Sequence, residues 1–246
     1  MDVQDKVAVV TGASRGIGRA IAVALAAAGA DVVCTARSSE SSPSKFPGTI
    51  DQTARAVEAL GRRALAIPMN IANDEEVEAM ARRTLAEFNR IDILVNNAGI
   101  SAPGFILDVP VRRWDLVMNV NLRGAYLCIR AFLPTMIEQR SGCIINVSSY
   151  ASWAEGRWGL AYSVSKAALE RLTTALATEV QPHNIAVNAL QIERFVASEG
   201  FVYLSPGADH STWDKPEVVG EAVLWLIKHD PSYTGRVVTL GDIDRQ

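Results

Sequence analysis

The chain has 246 residues, 49% of them apolar and 21% charged, with a formal net charge of -3. Those proportions belong to a globular protein with room for a sizeable core, and a single α/β domain can run to this length. Lys and Arg are interspersed with Asp and Glu, which argues against a nucleic-acid surface and against a polybasic membrane patch.

In chain order, short β-branched runs alternate with longer helical patterns. A strand is predicted at Val7 to Thr11, a helix at Gly18 to Ala28 and a strand at Asp31 to Thr35. A helix at Thr49 to Leu60, a strand at Ala64 to Met69 and a helix at Asp74 to Phe88 follow. Next come a strand at Ile91 to Asn96, a long helix at Arg113 to Gln139 and a strand at Cys143 to Ser148. The last elements are a helix at Tyr162 to Val180, a strand at Ile185 to Leu190, a helix at Pro216 to His229 and a strand at Arg236 to Leu240. Strands apolar on both faces and separated by helices are parallel strands with helices on each side. The pattern predicts an α/β fold: a Rossmann-type, doubly wound sheet of about seven parallel strands in one domain over residues 1–246.

Two segments break the alternation. Ser38 to Gly48 is rich in Ser and Pro, and Gln191 to Lys215 is a long connection carrying Phe195, Phe201, Tyr203 and Trp213. Connections this long usually serve function. This one leaves the carboxyl end of the sixth strand, where sites lie in open parallel sheets, so residues 191–215 are expected to form a substrate lid.

The longest apolar stretches, such as Ile21 to Ala28, fall short of the roughly 20 residues that span a bilayer. No basic segment followed by an apolar core opens the chain, so a cytoplasmic protein is expected. Cys34, Cys128 and Cys143 are odd in number and widely spaced, which points to buried thiols rather than disulfides. With His183, His210 and His229 they form no readable ligand cluster, and no metal is expected.

The turn Thr11-Gly12-Ala13-Ser14-Arg15-Gly16-Ile17-Gly18 joins the first strand to the first helix. Glycines there let backbone approach a pyrophosphate, and the helix N-terminus adds free N–H groups and partial positive charge. A plain tight turn is the alternative. Sites that prefer NAD carry an acid at the end of the second strand to bind ribose hydroxyls. Here that strand ends Cys34-Thr35-Ala36-Arg37. Arg37 and Arg15 are therefore placed to flank a 2′-phosphate, which favours NADP(H) over NAD(H), unless both are merely exposed arginines.

Tyr162 and Lys166 stand four apart at the start of a predicted helix and share one face. A phenol with an ordinary pKa of about 10 is a poor base at neutral pH, and a neighbouring ammonium is expected to draw that value down. Ser149, at the end of the fifth strand, either donates a hydrogen bond to a substrate oxygen or simply caps a turn.

With these residues in hand, the chain resembles the short-chain dehydrogenase/reductase family over nearly its whole length. The resemblance rests on Thr11 to Gly18, on Asn96-Asn97-Ala98-Gly99, on Asn121, on Ser149 and on Tyr162 with Lys166. It implies that Tyr162 protonates a carbonyl oxygen positioned by Ser149, and that Lys166 holds the nicotinamide ribose. It implies further that Asn121 binds a water in a proton relay, that Asn97, Ala98 and Gly99 line the cofactor, and that Asn70 and Ile71 lie near the adenine. A homotetramer or dimer is implied as well. Pro47-Gly48-Thr49-Ile50 resembles members described as hydroxysteroid-dehydrogenase-like or as terpenoid alcohol dehydrogenases.

The sequence departs from the family after the sixth strand. Ile192-Glu193 stands where a Pro-Gly pair is usual, and Ala197 where a Thr helps hold the carboxamide. Main-chain groups at Phe195 remain to meet the carboxamide, and Ser198 to replace the Thr. Tyr150, Trp153, Trp158 and Phe201 fall where the substrate cleft is expected, and aromatic lining suits a bulky apolar carbonyl compound or alcohol, although loop packing explains them equally well. The leading expectation is an NADP(H)-dependent carbonyl reductase or alcohol dehydrogenase. Its rivals are a 3-oxoacyl-carrier reductase, for which Arg112, Arg113 and Arg157 offer a thin landing surface, and a nucleotide-binding regulator with weak turnover.

Overall fold

The first strand, β1 (Val7–Thr11), is buried along its whole length in the computed structural model, which describes residues 1–154 and 159–245. Its side chains alternate: Ala8 and Val10 enter one apolar core, Val7 and Val9 the other. A strand with a helix layer on each side must be apolar on both faces, and this run of β-branched residues meets that need.

Seven strands form one sheet in the order β3-β2-β1-β4-β5-β6-β7. The others are β2 (Asp31–Ala36), β3 (Ala64–Pro68), β4 (Ile93–Asn96), β5 (Gly142–Ser149), β6 (Ile185–Ile192) and β7 (Val237–Thr239). Every neighbouring pair is parallel, as the alternating pattern predicts. On one face pack α1 (Gly16–Ala27), α2 (Ile50–Glu58) and α8 (Glu217–Lys228), through Ile21, Leu25, Val57, Val223 and Leu226. On the other pack α3 (Asp74–Phe88), α5 (Gly124–Gln139) and α6 (Leu160–Val180), through Met80, Phe132, Met136 and Leu176. The strand order reverses at β1, which pairs with both β2 and β4, and the crevice of such sheets opens at that reversal.

Three elements differ from the sequence reading, each for a local reason. The long helix expected from Arg113 to Gln139 is α4 (Val111–Met118), a π-helical turn at Asn119–Arg123 and then α5. Apolar periodicity runs through all three, so it does not reveal the extra residue in the π turn. Inside the connection from Gln191 to Lys215, β6 extends to Ile192 and a short helix forms, α7 (Glu199–Leu204). The last strand stops at Thr239, because Thr239 and Asp242 make a reciprocal capping box that starts α9 (Leu240–Asp244).

Cys34, Cys128 and Cys143 are buried and free, and burial pushes each thiol up to about 12. Among the described residues no helix is long and apolar enough to cross a membrane.

Candidate active site

The turn between β1 and α1 is shaped by what it excludes. Gly12 and Gly16 have φ of +69° and +52°, the left-handed region that glycine enters without strain. A Cβ on Gly18 would sit 2.2 Å from the Gly12 carbonyl oxygen and 2.5 Å from Asn97 Nδ2, so only glycine fits. The loop after β4 is bound to this turn. Asn97 Nδ2 donates to Thr11 O at 2.9 Å, while the Asn97 and Ala98 N–H groups both donate to Thr11 Oγ1 at 3.0 Å. The first turn of α1 carries no acidic side chain and its N-cap, Arg15, makes no side-chain cap, which leaves N–H groups for an anion.

The two arginines are used differently. Arg15 donates to Pro47 O at 2.8 Å, to Ser38 Oγ at 3.1 Å, to Ser44 Oγ at 2.6 Å and to Gly48 O at 3.2 Å, so it holds the 38–48 segment against the turn. Burial draws its pKa down, and repulsion from Arg37 adds to that while Glu199 opposes it. Arg37 is exposed and makes no hydrogen bond or ion pair with the described residues. Asn70 follows β3 and accepts from Ala72 N, and the Ile71 side chain is buried against Gly124.

Opposite the glycine turn stands the segment after β6. A Cβ on Gly16 would lie 3.0 Å from Ser198 Cβ and 3.1 Å from Glu199 Oε2, a buried oxygen without a hydrogen bond from the described residues. Phe195, Phe201 and Trp213 stack there, with ring centroids 4.8–5.8 Å apart. Tyr203 of α7 meets Phe46 edge-on at 5.0 Å, so the two irregular segments close on each other.

On α6, Tyr162, Lys166 and Glu170 succeed one another at intervals of four and line one face. Lys166 is 4% exposed; its Nζ donates to Val147 O at 2.7 Å and lies 5.6 Å from the centre of the Tyr162 ring. Burial lowers the lysine pKa to about 8, against the opposing charge of Glu170. Burial holds the Tyr162 phenol above its ordinary pKa, and the nearby Ser149 side chain offsets this only in part. The lowering expected from the Tyr–Lys spacing is therefore not seen, because desolvation dominates and the ammonium is turned toward Val147. The turn-cap reading of Ser149 is seen: its Oγ accepts from Ala151 N at 3.3 Å and caps the turn Tyr150–Ser152.

Asn121, 1% exposed in the π turn, is fixed on both sides by one backbone unit. Its Oδ1 accepts from Ile100 N at 2.8 Å and its Nδ2 donates to Ile100 O at 2.9 Å and to Ser165 Oγ at 3.0 Å. Ser165 in turn donates to Tyr162 O at 2.7 Å. A Cβ on Gly99 would lie 3.6 Å from both Asn121 Oδ1 and Lys166 Nζ, so these residues converge on one place. The structure thus brings Asn97, Ala98, Gly99, Asn121, Ser149, Tyr162 and Lys166 to the same end of the sheet. Tyr150 and Trp153 stand beside Ser149 with rings 4.6 Å apart at 71°, while Trp158 and Arg157 lie outside the described residues.

Sequence reasoning missed the work of Glu193 and Arg194. Glu193 accepts from Leu240 N and Gly241 N at the start of α9, with Oε2 3.0 Å from Leu240 N. Arg194 lies 3.2 Å from Asp214 Oδ2 and 3.1 Å from Asp244 Oδ2. Glu193, the second of the residues that replace Pro-Gly, thus binds the end of β6 to α9, and Arg194 after it ties the same end to α9 and to the approach to α8. No local pattern signals this, since the partners are 20 to 50 residues away. Among the described residues no group of three His, Cys, Asp or Glu side chains gathers to hold a metal.

Comparison with known proteins agrees with this arrangement. The family model for short chain dehydrogenase matches residues 6–196. A 3-oxoacyl-[acyl-carrier-protein] reductase of Synechocystis sp. is 39% identical over 185 residues, 75% of this chain and 72% of that protein. Hydroxysteroid dehydrogenase-like protein 2 of Homo sapiens is 33% identical over 93% of this chain, which spans 55% of that longer protein. Among solved structures, a putative short-chain alcohol dehydrogenase from Sinorhizobium meliloti 1021 superimposes with a TM-score of 0.85 at 31% identity, covering 99% of this chain and 98% of that one. A metagenomic short-chain oxidoreductase in complex with NADP gives 0.80 at 33% identity and 97% coverage of both chains.

Proposed function

The chain belongs to the short-chain dehydrogenase/reductase family of oxidoreductases, and from that premise we propose that it is an NADP(H)-dependent carbonyl reductase or alcohol dehydrogenase with Tyr162 as its general acid and base. The observation that carries this reading is the buried Lys166 ammonium, which donates to Val147 O at 2.7 Å and stands 5.6 Å from the centre of the Tyr162 ring, with Ser149 at the end of β5 and the glycine turn at the same end of the sheet. When bound, the reduced nicotinamide supplies the hydride for the carbonyl carbon. The residues fit such a cofactor: Gly18 admits no Cβ, the first turn of α1 holds no acid, and Gly99 opens the space before Lys166.

Burial keeps the phenol protonated, which suits a proton donor to a carbonyl oxygen that Ser149 holds by its hydroxyl. The phenolate left behind is stabilised by the Lys166 ammonium, present at pH below its pKa of about 8. The Asn121 side chain is fully engaged with Ile100 and Ser165, so its main chain is the group that would hold a relay water. NADP(H) is favoured over NAD(H) because β2 ends without an acid and Arg37 makes no hydrogen bond or ion pair with the described residues. Residues 191–215 act as the lid, and Tyr150, Trp153, Phe195 and Phe201 supply an apolar lining for a bulky substrate. Exposed Val111, Leu116 and Tyr126 on α4 and α5 support a homo-oligomer.

Loss of NADPH absorbance with a panel of aryl and aliphatic ketones tests the reading; tight NADPH binding without turnover of any ketone would replace it with a nucleotide-binding regulator. A 3-oxoacyl-carrier substrate is a second reading, favoured by the Synechocystis relative and by a surface depression lined by Arg112, Arg113 and Leu116. A 3-oxoacyl thioester in the same panel separates the two.

A further inference from the structure

One network ties the proposed aromatic lining to the catalytic helix, and it centres on Gln191, 3% exposed on β6 before the excursion of the chain begins. Its Nε2 donates to Glu170 Oε1 at 2.9 Å and to Ser152 Oγ at 3.0 Å, while its Oε1 accepts from the Trp153 indole Nε1 at 3.0 Å. Ser148, directly opposite Gln191 in the parallel register, donates to the same Glu170 oxygen at 2.6 Å. Glu170 can only accept and the indole can only donate, so the amide has one workable orientation: flipping it would set oxygen against carboxylate and N–H against N–H. Both amide hydrogens and the oxygen are thereby committed, and the side chain is a fixed connector.

What it connects is unequal. On one side stands Glu170, one helical turn beyond Lys166 on the catalytic face of α6. On the other stands Trp153, which is 66% exposed and whose ring, among the described residues, is held by its indole hydrogen bond to Gln191 and by the edge of Tyr150. An exposed indole without such a bond samples several rotamers.

We propose that Gln191 is a specificity-determining positioning residue that locks the Trp153–Tyr150 aromatic wall at a set distance from the Ser149–Tyr162 hydroxyls, and so fixes the width of the substrate cleft. The proposal rests on the carbonyl-reductase reading above. It predicts that Gln191 acts on binding of bulky substrates through Trp153.

The test combines Gln191→Leu, Trp153→Phe and the double variant. With an aryl ketone such as acetophenone, each single variant should raise KM about three- to tenfold, the effect of having to order one freed side chain on binding. The loss should fall in KM, with kcat within about twofold, and the double variant should be no worse than the poorer single one, because coupled residues are not additive. Multiplicative losses, an unaltered KM, or a loss confined to kcat would overturn the proposal. A second readout needs no substrate: the near-ultraviolet circular dichroism of the cofactor-free protein should lose in Gln191→Leu the same band that Trp153→Phe removes. A wild-type spectrum in Gln191→Leu overturns the proposal even where no ketone is reduced, whereas absence of all turnover with the band lost would count against the reductase reading alone. Should Gln191→Leu not fold, Gln191→Met keeps the length of the side chain and Trp153→Phe alters an exposed residue; a KM for acetophenone unchanged in both rejects the idea.

Discussion

The two ends of the crevice are built on different principles. The nucleotide side, around Gly12 to Gly18 and Asn97 to Gly99, is held by main-chain hydrogen bonds and by positions where a Cβ will not fit. The substrate side, around Ser149, Gln191 and Arg194, is held by side chains that meet across long stretches of sequence, such as Trp153 with Gln191 and Arg194 with Asp244. Backbone geometry demands particular residue types at fixed local spacing, so it leaves a motif. Side-chain pairing accepts many solutions, so it leaves none.

Each side can be broken separately. The largest effect is expected on the substrate side: Tyr162→Phe removes the proton donor and should lower kcat about 10²- to 10⁴-fold, with NADPH affinity nearly unchanged, as measured by fluorescence titration. On the nucleotide side, Gly18→Ala forces a Cβ to within 2.2 Å of Gly12 O. It should lower stability by about 1–3 kcal/mol in denaturant unfolding and weaken NADPH, leaving the Tyr162–Ser149 pair intact. Arg37→Asp should move the NADPH-to-NADH ratio of kcat/KM toward NADH by about 10- to 100-fold, since a charge-assisted contact is replaced by repulsion; an unaltered ratio would show that Arg37 does not read the 2′-phosphate.

The smallest effect probes the join between the sides. Glu170 holds the Lys166 pKa up against burial, so Glu170→Gln should lower it further below its value of about 8. A reaction that needs the ammonium is sustained below that pKa and lost above it, so the alkaline limb of kcat/KM should shift to lower pH. A limb that stays in place, or moves up, would show that Glu170 does not act on the lysine.

The sheet, its parallel strands and both helix layers were legible because strands apolar on both faces, such as Val7 to Thr11, permit little else. Tyr162, Lys166, Ser149 and Asn121 were legible as a set of residue types, and the structure brings them together at one end of the sheet. The direction of the Tyr162 pKa was not, because spacing tells which charges are near but not how far burial outweighs them. The π turn at Asn119–Arg123 was invisible because the bond from Asn121 to Ile100 that accompanies it is a tertiary contact. Glu193 registered only, with Ile192, as a missing Pro-Gly and Arg194 not at all, since their partners Gly241, Asp214 and Asp244 are remote in sequence.

The stitching of Val196 to Asp214 has a consequence for how this protein can be changed. Ala197 N donates to Asp214 O and Asp214 N to Phe195 O, both at 2.8 Å, while Arg194 pairs with the Asp214 carboxylate at 3.2 Å. Residues 197–213 are therefore an excursion whose two feet stand side by side just beyond the end of β6. Loop closure varies only weakly with length once the ends are joined. The excursion is thus a cassette: it can be lengthened, shortened or exchanged for another while β6 and α8 keep their places, and with it the reach of the cleft toward larger or smaller molecules.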